Sequence, residues 1–301
     1  MGGIGEEREI SLQSGRCVTQ ALQEAGLKAI AADIQPNSLD ILDNDDIGVF
    51  FVALHGQFGE DGHLQQILED KSLCYTGSGP AASRLAFDKL ASKNRFAQAG
   101  LTTPKAIAFE PRVTVRQIEE QVAPLSGRFV VKPVRQGSTI GVTMADDPRS
   151  ALADARECSS KFGDCMIEEF IAGREITVGI LENRALPIIE IKPKTGFYDY
   201  RAKYVDEGTE FLFDTIDPAL AATIKTGALD GFNALGLKHF ARLDFILGND
   251  QKAYVLEANT IPGLTTHSLL PKAAAKMGLS MSDLCLKIVD AARSSLVSRR
   301  T

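Results

Sequence analysis

The sequence predicts an α/β fold: a parallel-sheet part at the N-terminus, followed by a strand-rich remainder of hairpins and helices. Two observations predict it. Up to Tyr75, apolar strand runs alternate with helical periodicity, which is βα repetition and hence a parallel sheet. Beyond residue 128, strand runs are separated by short turns rich in glycine or aspartate, as in 128–144 and 241–259, and such turns join antiparallel neighbours.

Taken in order, 11–25 has helical spacing, with Leu12, Val18 and Leu22 apolar and Gly26 as the stop. Segments 28–34 and 47–54 read as strands, the second ("IGVFFVAL") buried. The turn "HGQFGEDG" (55–62) leads to a helix over 63–69 and a short strand at Cys74 and Tyr75. A helix spans 83–99, contains Asp88 and Lys89, and ends at Gly100. "RFVVKPVRQGSTIGVTM" (128–144) reads as strand, glycine turn, strand. A helix over 148–161 precedes the strand "CMIEEFI" (165–171), which stops at Gly173. From "REITVGIL" onward the chain is strand-rich, with a tyrosine-rich loop at 196–204, a helix over 218–235, strands at 241–247 and 253–259, and a terminal helix over 284–297. The loop 194–210 is long, and loops of that length are usually lids or binding loops.

With 301 residues, 44% hydrophobic and 24% charged, the chain has a globular composition and room for two or three domains. A net charge of −6, with no Lys/Arg-rich run apart from Arg299 and Arg300, argues against generic nucleic-acid or anionic-membrane binding. No apolar run reaches the roughly 20 residues of a membrane span. Met1 is followed by Gly-Gly and charges rather than by a signal peptide. Five scattered cysteines without a CxxC pair read as reduced thiols in a cytosolic protein. Four histidines without close spacing argue against zinc.

Four constellations carry chemistry. In "ARLDFILGNDQKAYVLEAN", symmetric pairing about Asp250 and Gln251 sets Asp244 opposite Glu257 and Arg242 opposite Asn259. Two carboxylates face to face destabilise a hairpin unless a cation lies between them. The hard oxygens of Asp244, Glu257 and Asn259 suit Mg²⁺, and Arg242 beside them suits an anionic oxygen. The bland alternative is a solvated strand face with an ordinary Arg242–Asp244 surface pair. Second, Lys132 ends an apolar strand before "PVRQGSTIG". Turn N–H groups, Ser138, Thr139 and the Lys132 charge could cradle phosphate, although such turns also serve as plain hairpin turns. The Walker pattern is absent. Third, "EEFIAGRE" (168–175) could bind a purine and its ribose, or be structural only. Fourth, Glu6, Glu7 and Glu9 precede a helix; they suit a substrate ammonium group or simply cap the helix.

Together the segments "GEEREISLQSG", "ALHGQFGEDG", "YTGSG", "FDKL", "VVKPVRQGSTIGV", "EEFIAGREITV", "FYDYRAKY", "ARLDF" and "LEANTIPGLTTHSLLP" resemble the D-alanine–D-alanine ligase family of ATP-grasp enzymes, in the family's order and across nearly the whole chain. The resemblance implies an ATP-grasp fold of three domains: an N-terminal α/β domain (1–83), a central subdomain (84–172) and a C-terminal subdomain (173–301) with a lid loop (194–210). It implies that ATP phosphorylates the carboxylate of one D-alanine, and that the amine of a second attacks the acyl phosphate to give D-alanyl-D-alanine for peptidoglycan. It also implies a homodimer in a bacterial cytoplasm.

By motif, Lys89 and Lys132 resemble the ATP phosphate contacts. Glu168, Glu169, Phe170 and Ile171 resemble the adenine-binding linker, and Glu175 the ribose contact. Asp244, Glu257 and Asn259 match ligands of two magnesium ions sharing Glu257, with manganese as a substitute. Arg242 and the Gly263 N–H match oxyanion donors. Glu7 matches the holder of the first D-alanine's ammonium, with His55 nearby, and Ser268 and Leu269 match contacts to the second D-alanine's carboxylate. Lys203 and Tyr204 resemble lid groups, and Glu7, Ser138 and Tyr204 resemble a hydrogen-bonded trio implicated in deprotonating the attacking amine.

Two departures stand out. Relatives run a short apolar strand into the Gly-Gly pair, where here Met1 stands directly before Gly2, so the N-terminal sheet is expected to lack its first strand. Phe170 stands where relatives often carry tryptophan. Two rival readings are a sister ligase joining D-alanine to D-lactate or D-serine, against which Tyr204 and Leu269 speak, and an ATP-grasp nucleotide-binding protein without catalysis, against which Arg242, Asp244, Glu257 and Asn259 speak.

Overall fold

Helix α1 (Arg8–Glu24) buries a face on which Ser11, Ser14 and Gly15 stand beside Val18, Ala21 and Leu22. The computed structural model describes residues 1–125, 127–194 and 208–298, so the tyrosine-rich loop with Lys203 and Tyr204 lies outside the described residues. The strands expected at 28–34 and 47–54 do not form ladders. Two parallel bridges remain in this region, Gly2 with Ile34 and Phe50 with Tyr75. Among the described residues no bridge joins 28–34 to 49–54, and a cavity of about 610 Å³ lies between them, lined by Ala29, Ala31, Val49, Phe51 and Leu22 among others. A sheet strand needs a hydrogen-bonding partner beside it, and among the described residues neither segment has one along the cavity beyond Met1 and Gly3 at the Ile34 end and the bridge of Phe50 to Tyr75. The N-terminus itself begins such a pairing: the Met1 amine donates to Ala32 O at 3.0 Å, Ile34 N to Met1 O at 2.9 Å and Gly3 N to Ile34 O at 2.8 Å.

Helix α2 (His63–Asp70) follows the glycine-rich turn. The single helix expected over 83–99 is two, α3 (Pro80–Phe87) and α4 (Lys89–Gln98). The break falls at Asp88, whose side chain accepts from Ala91 N and caps α4, a role that competes with continuing the helix.

The middle of the chain forms a four-stranded antiparallel sheet in the order β1-β4-β2-β3, from β1 (Ala106–Ala108), β2 (Phe129–Pro133), β3 (Thr143–Ala145) and β4 (Cys165–Glu169). Helices α5 (Val115–Val122) and α6 (Pro148–Phe162) cover its outer face around Ile118, Val131, Ala151 and Ile167. The last part forms a five-stranded antiparallel sheet in the order β7-β6-β5-β8-β9, from β5 (Gly173–Leu181), β6 (Arg184–Lys192), β7 (Glu210–Leu212), β8 (Phe240–Gly248) and β9 (Ala253–Asn259). One apolar cluster joins this sheet to α7 (Pro218–Ala234) through Phe232, and another joins it to α8 (Leu269–Lys276) and α9 (Met281–Ser298) through Leu270 and Ile288. Register shifts between Asp244 and Phe245: Asp244 pairs with Glu257 but Phe245 pairs with Val255, so Leu256 is the extra residue of a bulge. No described helix is long and apolar enough to cross a membrane.

If the cavity between 28–34 and 49–54 is a strand slot, a chain extended upstream of Met1 by five apolar, β-branched residues fills it. Burial of two or three such side chains is expected to stabilise the fold by about 3–6 kcal/mol, which differential scanning calorimetry would register as a higher melting temperature. An unchanged melting temperature would refute the slot.

Candidate functional site

A second cavity, about 450 Å³, lies between the two antiparallel sheets and is lined from one side by Val130, Lys132 and Met144 and from the other by Glu175, Ile246 and Leu256. Glu168, Glu169, Phe170 and Ile171 form the strand end that joins the two sheets along this wall. The Glu169 carboxylate accepts from Lys105 N at 2.8 Å, and the Arg128 guanidinium lies 4.7 Å from the Phe170 ring centroid. Glu168 lines this cavity and also anchors an ionic contact. It is 2% exposed and lies between two ammonium groups, Lys132 at 2.7 Å and Lys93 at 2.5 Å. Burial alone raises its carboxyl's pKa, but Lys132 and Lys93 outweigh that and hold it below the usual range. Burial pushes Lys93 down to about 8, against the pull of Glu168. Lys132 thus reaches the cavity on a buried ionic mount.

At one end of the cavity the cross-strand register places Asp244 opposite Glu257 and Arg242 opposite Asn259. The Arg242 guanidinium holds Asp244 with two bonds of 2.8 Å. Thr177, its neighbour on β5, donates to the same carboxylate at 2.6 Å, and Asn259 Nδ2 at 2.9 Å. Lys89 Nζ lies 3.0 Å from Glu257 Oε2 and donates to Gln136 O at 2.6 Å, so it ties the phosphate-type turn after β2 to β9. Cations of the protein thus meet both facing carboxylates. Among the described residues no group of three His, Cys, Asp or Glu side chains is assembled. The donor set is two carboxylates and the Asn259 amide oxygen, which its Nδ2–Asp244 bond leaves facing elsewhere, and these hard oxygens fit a divalent cation.

Across the site, Glu7 stands at the N-cap position of α1 yet makes no capping bond. Ser138 donates to its carboxylate instead. A Cβ on Gly56 would lie 2.3 Å from Glu7 Oε2, and one on Gly137 2.8 Å, so both turns approach the carboxylate as only glycine allows. Ser138 and Thr139 have φ of 53° and 62°, a left-handed conformation that costs about 1–3 kcal/mol per residue. The trio's third member, Tyr204, and Lys203 lie outside the described residues.

His55 is fully buried and both ring nitrogens have protein partners, Ile261 O at 2.8 Å and Ser14 Oγ at 2.9 Å. Through Ile261 it holds the loop that follows β9. Gly263 lies on that loop, and a Cβ there would meet Ser268 Oγ at 2.7 Å. Ser268 is the N-cap residue of α8 but bonds to Thr265 rather than to its helix, leaving the first-turn N–H groups without a side-chain cap. The Leu269 side chain is a core residue, 7% exposed, so its backbone N–H is what it can offer a carboxylate. Sequence reasoning missed Ser11, Ser14, Glu60, Lys93 and Thr177. Two serines three apart on the apolar face of a helix were a readable signal; Lys93 gave none.

Glu168→Gln would leave the Lys132 and Lys93 charges buried without their counter-ion, at a cost of about 3–5 kcal/mol. Lys93, already near 8, would lose its proton at a lower pH than in the wild type, so between the two titrations the folded variant binds fewer protons than the folded wild type and the loss shrinks as pH rises toward about 8, then stays constant. Urea unfolding of both forms at about pH 5.5 and about pH 9 checks this; an equal loss at both would refute it.

Residues 96–290 match the family model described as D-ala D-ala ligase C-terminus. The chain is 40% identical over 291 residues to the D-alanine–D-alanine ligase of Syntrophotalea carbinolica, covering 96% of this chain and 93% of that one. It is 41% identical over 293 residues to the enzyme of the same name from Citrifermentans bemidjiense, covering 97% and 94%. The crystal structure of D-alanine–D-alanine ligase from Bacillus anthracis complexed with ATP superposes with a TM-score of 0.86 at 28% identity, covering 99% of this chain and 97% of that one. With its two antiparallel sheets enclosing the cavity and this likeness along its length, the chain belongs to the D-alanine–D-alanine ligase family, with the ATP-grasp fold.

Proposed function

We propose that the protein joins two D-alanines to D-alanyl-D-alanine at the expense of ATP, which becomes ADP and phosphate, and so supplies peptidoglycan synthesis. The observation that carries this reading is the facing pair Asp244 and Glu257, with Arg242 and Lys89 upon it, at the end of a cavity whose wall holds Lys132.

ATP lies between the sheets, with its base toward Phe170, Ile171 and Leu256 and its ribose at Glu175. Lys132 and Lys89 neutralise phosphate charge. Phosphoryl transfer to a carboxylate needs alignment and charge neutralisation more than covalent help from the protein. Mg²⁺, one or two ions held by Asp244, Glu257 and Asn259, or Mn²⁺ in its place, would supply the remaining charge neutralisation. Glu7 holds the ammonium of the first D-alanine, and its bond to Ser138 ties that subsite to the phosphate turn. Ser268 and the Leu269 N–H hold the carboxylate of the second. When its amine attacks the acyl phosphate, Arg242 and the Gly263 N–H stabilise the oxyanion. By family resemblance the loop 194–210, with Lys203 and Tyr204 outside the described residues, would take the lid role of keeping water from the acyl phosphate. Family membership supports a cytoplasmic homodimer and the three-domain division at 83/84 and 172/173.

ADP release and dipeptide formation measured together with ATP, Mg²⁺ and D-alanine, then with L-alanine and with D-alanine plus D-lactate, test the reading. Stoichiometric D-alanyl-D-alanine with no L-alanine product is expected; ATP binding without dipeptide would sink it. Arg242→Gln is expected to lower kcat by about 10²–10³. A kcat close to wild type would remove Arg242 from the oxyanion role.

A further inference from the structure

Loop 261–264 is gripped by three buried side chains that this chemistry leaves without a task. Glu60 accepts from Ile261 N–H at 3.2 Å through one oxygen and from Gly56 N–H at 2.7 Å through the other. His55 Nδ1 meets the Ile261 carbonyl at 2.8 Å, so both backbone polar groups of Ile261 are bound. Ser14 Oγ accepts from Leu264 N–H at 3.2 Å and meets His55 Nε2 at 2.9 Å. These bonds fix the imidazole: with Nδ1–H donating to Ile261 O, Nε2 accepts from the Ser14 hydroxyl, whose lone pair takes Leu264 N–H. Ser11, three residues before Ser14 on α1, accepts from His55 N–H at 2.8 Å and locks the other side of the turn. The four side chains are nearly inaccessible, from 0% exposed for Ser11 and Ser14 to 9% for Glu60.

We infer that Glu60, His55 and Ser14 are positioning residues that clamp the loop Ile261–Leu264 to α1 and the 55–60 turn, and thereby set the place of the Gly263 N–H. What Gly263 does there rests on the ligase reading; the clamp itself does not. The loop lies between β9 and α8 and has no ladder or helix of its own to hold it. Gly263 stands between the two clamped amides, Ile261 and Leu264. A donor that is to stabilise developing charge must be in place beforehand, and a shift of about 1 Å can cost 10²-fold in rate.

The electrostatics fit. Burial, against the Ile261 carbonyl and with Arg242 assisting, pushes His55 down to about 4, so the ring stays neutral and keeps the tautomer that the clamp needs. Burial, then the Glu7 charge, pushes Glu60 up to about 8, against its two N–H donors and Arg242. Glu7 from the start of α1 and Arg242 from β8 are the charges that act on it.

Hydrogen–deuterium exchange of the full-length protein, read alongside steady-state dipeptide synthesis, tests this in Glu60→Gln and in Ser14→Ala. Glu60→Gln turns an acceptor into an NH₂ group against one of two amides, so exchange at Ile261 or Gly56 should rise about tenfold or more; Ser14→Ala should do the same at Leu264. In both, kcat should fall about 10- to 100-fold while the KM for ATP stays within about twofold. Should Glu60→Gln fail to fold, Ser14→Ala carries the test. Unchanged exchange at these amides overturns the clamp, and faster exchange with an unchanged kcat overturns the positioning role. Faster exchange in a wild-type background that makes no dipeptide supports the clamp and overturns the ligase reading.

Discussion

Two like charges held opposite one another organise this molecule. Asp244 and Glu257 are direct partners across β8 and β9, and such a pair is unfavourable until positive charge reaches it. The fold delivers that charge from two directions. Arg242 reaches Asp244 along its own strand, and Lys89 reaches Glu257 from α4 while its ammonium also holds the Gln136 carbonyl. The facing sheets are therefore tied by the compensation of one repulsion. The same arrangement suits phosphate chemistry, where anionic oxygens and cations must be exchanged without leaving any carboxylate bare.

The chemistry around that pair was legible in the sequence because it depends on parity. Strand residues two apart share a face, and symmetric pairing about Asp250 and Gln251 sets Asp244 opposite Glu257 and Arg242 opposite Asn259; next to the turn the structure pairs Phe245 with Val255, one residue off that register, and the bulge at Leu256 restores it. The two antiparallel sheets were legible for the same reason. The N-terminal strands were not: 28–34 and 47–54 have strand composition, but a ladder needs a neighbour, and pattern within a segment says nothing about whether one is present. Nor was the break at Asp88, where a capping side chain overrode helical periodicity. The Lys93 and Lys132 pairing of Glu168 was not legible, because a glutamate at a strand end reads the same whether or not two lysines from elsewhere in the chain meet it.

Buried acidic side chains recur here as a device for holding things still. Glu168 fixes Lys132, Glu7 is wedged between two glycine turns, and Glu60 spans two loops more than two hundred residues apart in sequence. Glu168 and Glu60 are each met by donors on separate segments, so displacing either segment leaves a buried polar group unsatisfied. Such groups resist gradual deformation and favour discrete positions, which suits a site that must align three reactants.

The bulge at Leu256 has a consequence for the scale of the site. In a regular strand Leu256 and Glu257 would point to opposite faces, yet both line the cavity. One step along the backbone, about 3.3 Å, thus carries the wall from apolar to anionic. The span between the surface suited to a base and the surface suited to phosphates is written into a single extra residue, not into a loop of adjustable length. A nucleotide bound there is measured against a fixed ruler, and hairpin changes beyond Gly248 could vary freely without altering its graduation.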